Sequence, residues 1–88
     1  MRTAAMEDHL KTIYHLAQST PDPVGTSAIA AALERTPATV SSMLDRLVDE
    51  GLCEREKYRG CRLTPDGERA AIEVIRPHRL LETFLYEL

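Results

Sequence analysis

The chain is poor in aromatic side chains: among 88 residues there is no tryptophan, one phenylalanine (Phe84) and three tyrosines. A core must therefore be built from leucine, isoleucine, valine and alanine, and at this length one modest domain is all the apolar content can bury. Long apolar runs are also missing. No stretch approaches the ~20 residues that cross a bilayer as a helix, and the start of the chain carries Arg2 without an apolar signal segment, which predicts cytoplasmic residence. The two cysteines, Cys53 and Cys61, are too few for a disulfide scaffold and have no zinc-site spacing. There is no Gly-rich phosphate loop, no Ser/His/Asp order and no recognisable nucleophile, so an enzyme is not expected. An excess of positive charge is absent as well. Eleven Lys and Arg face fourteen Asp and Glu, a formal net charge of −3, which excludes strong non-specific attraction to nucleic acid from bulk charge alone.

What is present is a run of capped helices around one turn-rich segment. Met6, Leu10, Ile13, Tyr14 and Ala17 form a single helical stripe, predicting a first helix over 3–18. Ser19-Thr20-Pro21-Asp22-Pro23 ends it, since two prolines cannot continue a helix, and Val24 is placed to add a short strand. A second helix is expected from Gly25-Thr26-Ser27, with a hydroxyl as its cap and Ile29, Ala30 and Leu33 inward. Thr36-Pro37 opens a third, with the threonine as N-cap and the proline at the first position, where its missing N–H costs nothing. The inner face of this helix reads Val40, Met43, Leu44, Leu47 and Val48, and Gly51 is a suitable stop. Strands over 52–57 and 61–63 then form a hairpin turning through Tyr58-Arg59-Gly60. A tight turn about Arg59 would set Cys61 opposite Lys57 rather than Cys53, so a disulfide is not expected, and both cysteines read as small apolar residues on a half-buried ribbon. Thr64-Pro65 starts a fourth helix, with Ala70, Ala71, Val74 and Ile75 as its apolar face and Leu81, Phe84, Leu85 and Leu88 continuing it. Pro77 predicts a kink there or a division into two helices.

The expected fold is mainly α with a small β-hairpin: a winged helix-turn-helix over 1–64, followed by the start of a dimerisation helix over 65–88. This layout points to double-stranded DNA. The third helix would enter the major groove by its N-terminal turn, where Thr36, Ala38, Thr39, Ser41 and Ser42 are small enough for close approach. Their hydroxyls can bond phosphates or bases, and the methyls of Ala38 and Thr39 can touch thymine. No Arg, Asn or Gln stands in that turn for a bidentate base contact, so shape and water must carry much of the specificity. The wing concentrates positive charge, with Arg55, Lys57, Arg59 and Arg62 against Glu56 between them. Arg59 at its tip would grip the backbone or a minor groove.

Four ordered blocks also resemble a known family. Met6-Glu7-Asp8-His9-Leu10-Lys11-Thr12-Ile13-Tyr14 is similar to the first-helix signature of the diphtheria-toxin-repressor-like transcriptional repressors, which respond to iron or manganese. Thr36-Pro37-Ala38-Thr39-Val40-Ser41 resembles the start of their recognition helix. Residues 58–67 resemble their wing and the cap after it, and residues 76–85 the opening of their dimerisation helix. The resemblance implies a homodimeric repressor with a divalent metal, Fe2+ or Mn2+, as corepressor. Asp8, His78 and Glu82 fall on positions of family ligands, the latter two one helical turn apart. At the position of Asp8 iron-responsive members typically carry Met and manganese-responsive members Asp. The manganese branch adds a Glu one turn later, where this chain has Lys11, and a cation is no ligand. The remaining family ligands lie beyond residue 88, so the implied site is incomplete in this chain. Metal would act by linking the first helix to the dimerisation helix, which fixes the spacing of two recognition helices. His9 and His15 read as ordinary helix positions. Two other readings fit the same layout: a winged-helix regulator without metal control, in which Asp8, His78 and Glu82 are surface residues, and a winged-helix protein-interaction module.

Overall fold

A computed structural model describes the backbone of residues 2–87 and the side chains of residues 2–76. It contains α1 (Ala4–Ala17), α2 (Thr26–Leu33), α3 (Pro37–Asp49), β1 (Cys53–Glu56), β2 (Gly60–Leu63) and α4 (Pro65–Glu87). The strands form one antiparallel two-stranded sheet, and Val24 adds a single bridge to Cys61 on the far side of β2. This is the winged helix-turn-helix read from the sequence, with α2 and α3 as the helical pair and the hairpin as the wing.

The helix starts follow their caps. Thr3 Oγ1 accepts from Met6 N–H, and Thr36 Oγ1 accepts from Thr39 N–H with Pro37 entering the first turn. Thr64 links two elements: its hydroxyl accepts from Gly67 N–H at 3.0 Å and donates to the Gly51 carbonyl at 2.7 Å, tying the start of α4 to the end of α3. The hydroxyl cap expected on α2 is not formed. Gly25 occupies the N-cap and no side chain bonds to the free N–H groups of that turn.

The core is aliphatic, as the shortage of aromatic residues requires. Met6, Leu10 and Ile13 of α1, Ile29 of α2, and Val40, Leu44 and Leu47 of α3 are fully buried. Cys53 and Cys61 close the core from the wing, and Ala70 and Ala71 close it from α4. Two expected inner positions turn outward: Ala17 is exposed, and Val48 is 37% exposed at the far end of its stripe. His9 joins the core instead, because it lies three residues after Met6 and completes the same helical face. Its Nδ1 meets the Ala5 carbonyl at 2.7 Å; a carbonyl only accepts, so the proton is on Nδ1. Nε2 is buried and has no partner among the described residues.

The hairpin register also departs from the expected one. Glu56 pairs with Gly60 and Arg55 with Cys61, so the turn is centred on Tyr58 rather than Arg59, and Cys61 faces Arg55 rather than Lys57. Gly60 has φ +120°, and a Cβ there would fall on the Val24 carbonyl. Its glycine thus serves the contact between β2 and Val24, not the apex of the turn. Helix α4 is continuous through Pro77, without a division into two helices.

Candidate nucleic-acid interface

The outer face of α3 stands clear of the core. Its orientation is set at the junction with α2, where Glu34 takes the left-handed conformation at φ +54° and Arg35 N–H bonds back to the Ala30 carbonyl at 3.0 Å. This closes α2 as a left-handed cap would and lets Thr36 begin α3 at once. Thr36, Ala38, Thr39 and Ser42 are exposed, while Ser41 is half-buried. The hydroxyls of Thr36 and Thr39 lie 2.8 Å apart. That bond and the cap both use Thr36 Oγ1, so Thr36 is chiefly structural, and Thr39 is better placed to offer a hydroxyl outward.

Ser41 is drawn to the wing. Arg55 donates to Ser41 Oγ at 3.3 Å and to Asp45 Oδ1 at 2.8 Å, spanning from β1 to the exposed side of α3. This link went unread in the sequence, although strand alternation carries its signal: Arg55 shares a face with Cys53, and that face turns toward α3. Two further wing arginines are also paired. Arg59 reaches Asp22 at 3.4 Å, joining the wing tip to the loop after α1, and Arg62 reaches Glu56 at 3.3 Å. These pairs are solvent-exposed and worth at most about 1 kcal/mol each, so a phosphate can replace the carboxylate at little cost. Lys57 lies over the Tyr58 ring, 5.1 Å from its centroid. A cleft of about 510 Å3 separates the start of α2 from the wing and is lined by Arg55, Lys57 and Arg59. The geometry therefore gathers the exposed α3 residues, the basic wing and the α2 N-terminus around one open, polar surface.

At the wing root, the Cys53 thiol is held well above its usual range by its side-chain hydrogen bond to Cys61 and by burial. The same hydrogen bond lowers Cys61, aided by the charge of Arg55 and opposed by burial. Both cysteines are free thiols.

The expected metal ligands are not gathered among the described residues. No group of three His, Cys, Asp or Glu side chains there could hold an ion. Asp8 is exposed on α1, with Lys11 exposed one turn later. The side chains of His78 and Glu82 lie outside the described residues. The described donors thus do not make up a metal centre. No helix among the described residues is long and apolar enough to cross a membrane.

Known proteins similar to this chain are transcription regulators. The HTH-type transcriptional regulator MntR of Lysinibacillus sphaericus (strain C3-41) is 41% identical over 85 residues, covering 97% of this chain and 60% of that protein. The structure of the manganese regulator SloR superposes with a TM-score of 0.73 at 34% identity, covering 93% of this chain and 38% of that one. The S. aureus MepR–DNA complex gives a TM-score of 0.73 at 26% identity, over 98% of this chain and 63% of that one. The chain thus spans about 60% of the length of its MntR relative. Residues 1–61 match the family model described as iron dependent repressor, N-terminal DNA binding domain, and the chain belongs to that family.

Proposed function

We propose that this chain is the DNA-binding end of a homodimeric transcriptional repressor that acts in the cytoplasm on a double-stranded operator and has no enzymatic activity. The observation that carries the reading is the division of α3. One face is locked into the core through Val40, Leu44 and Leu47, while the other presents Ala38, Thr39 and Ser42 beside a basic wing. A helix so held, with small residues on its free face, fits the major groove. In this reading Thr36 sets the helix start, Ala38, Thr39, Ser41 and Ser42 approach the bases and backbone, and Arg59 exchanges Asp22 for a phosphate. Residues 1–64 form the reading unit and residues 65–88 begin the dimerisation element, anchored to that unit through Ala70 and Ala71.

Control by Fe2+ or Mn2+ belongs to the intact protein, with Asp8, His78 and Glu82 as this chain's contribution to the ligands. A bound divalent ion would supply a charge-neutralising bridge between elements that carboxylates alone would push apart. Support comes from the family, described as iron dependent repressors, and from one solved relative described as the manganese regulator SloR. A metal-independent regulator is the second reading, favoured by Lys11, which places a cation near Asp8 where a further acid would strengthen the site. Selection of genomic fragments by the full-length protein, with Mn2+ or Fe2+ titrated in, tests both. Recovery of one operator motif with metal-raised affinity is expected. The absence of any preferred sequence would overturn the repressor reading, and a preferred sequence bound equally without metal would establish the second one.

A further inference from the structure

The wing tip holds its side chain in an unusual way. Tyr58 is 93% exposed, far more than any other large apolar residue described. It also has φ +65°, in the left-handed region. It is the third residue of a four-residue turn closed by Arg59 N–H to the Glu56 carbonyl at 3.0 Å. When that position is left-handed, Gly or Asn is the usual occupant, because a Cβ there crowds the backbone. The chain does use glycine two residues later, at Gly60, where β2 meets Val24. Tyr58 is thus a bulky residue in a strained conformation, and the fold gains little in return. Its ring is not in the core, and its one aromatic contact is the Lys57 ammonium on its face. Strain of this kind is retained where the side chain serves a binding surface.

The surface concerned is the one already described. The tip borders the cleft shared with the start of α2, next to Arg59. We propose that Tyr58 is a DNA-contact residue, its ring packing flat against the deoxyribose wall of a minor groove while Lys57, held at the ring face, meets the adjacent phosphate. An aromatic side chain presented rigidly to a groove adds apolar contact that is insensitive to salt and tolerant of sequence. This suits a recognition helix with few base-reading side chains. The inference rests on the DNA-binding reading and adds to it a contact by the wing that is not ionic.

The test compares full-length wild type, Tyr58→Gly, Tyr58→Phe and Arg59→Glu on the operator selected above. Tyr58→Gly is expected to raise the urea midpoint, because glycine relieves the turn, and to lower operator affinity about tenfold. Stability and affinity then move in opposite directions, which a purely structural role would not produce. The loss should persist unchanged across salt concentrations, whereas Arg59→Glu should flatten the salt dependence. Tyr58→Phe should recover the affinity, and hydroxyl-radical footprints should lose protection of minor-groove sugars only in the glycine variant. Wild-type affinity for Tyr58→Gly, or a lowered urea midpoint, would overturn the assignment while the DNA reading stands. A wild type that binds no DNA would sink both.

Discussion

The two ends of the wing are governed by different physics. At the root, Cys53 and Cys61 are buried, Gly60 lies against the Val24 carbonyl, and the Val24 and Cys61 backbones exchange bonds at 2.8 and 2.9 Å. At the tip, Tyr58 and Arg59 are exposed and held by one turn hydrogen bond and one ion pair to Asp22. The root is chosen by packing, so almost any change there costs stability. On the proposed reading the tip is chosen by what it meets outside the molecule, so changes there should cost little stability and act on binding. A short hairpin can thus hold a rigid anchor and a replaceable reader in one supersecondary unit.

Substitutions along the wing can break that contrast or sharpen it. The largest effect is expected for Gly60→Ala, which drives a Cβ onto backbone and forces φ +120° on an L-residue. A loss of about 3 kcal/mol in urea unfolding follows from a clash that the backbone can relieve only by giving up the Val24 bridge. Cys61→Ser comes next, at about 2 kcal/mol, because a hydroxyl buried beside a thiol lacks a strong partner. Thr64→Ala removes the cap on α4 together with its bond to Gly51, and about 1 kcal/mol should be lost. At the tip, Arg59→Ala should change stability by less than about 0.5 kcal/mol, since it breaks only an exposed pair. A large effect of Arg59→Ala on unfolding, or a negligible one of Gly60→Ala, would erase the distinction between root and tip.

The same contrast marks what could be read in advance. Helix starts were legible because Thr36-Pro37 and Thr64-Pro65 state their caps locally, and the inner face of α3 was legible from its 3.6-residue period. The fold class followed from those elements and the hairpin between them. The hairpin register was not legible. Gly60 draws a turn toward itself on local chemistry, but the fold uses that glycine for close approach to Val24, a residue 36 positions away in sequence. The turn was left to Tyr58, a residue no turn preference selects. His9 entered the core because helical geometry gave it a place on the buried face, although its polarity argued for solvent. Arg55 was visible as a charge but not as a link, since its partners Ser41 and Asp45 come from another element. The exposed face of α3 was therefore legible by pattern, while the Arg55 link and the left-handed turn at Tyr58 required the three-dimensional arrangement.

The central claim is that the exposed face of α3 and the wing tip together contact DNA. The most direct measurement is the salt dependence of operator affinity for the full-length protein, proposed here to be a homodimer, wild type against Arg59→Glu. If Arg59 trades Asp22 for a phosphate in each protomer, the wild-type affinity falls linearly with salt on logarithmic axes. The variant should then bind more weakly with a slope shallower by about 2, one lost phosphate contact per protomer. Equal affinity and equal slope for the two proteins would contradict the account.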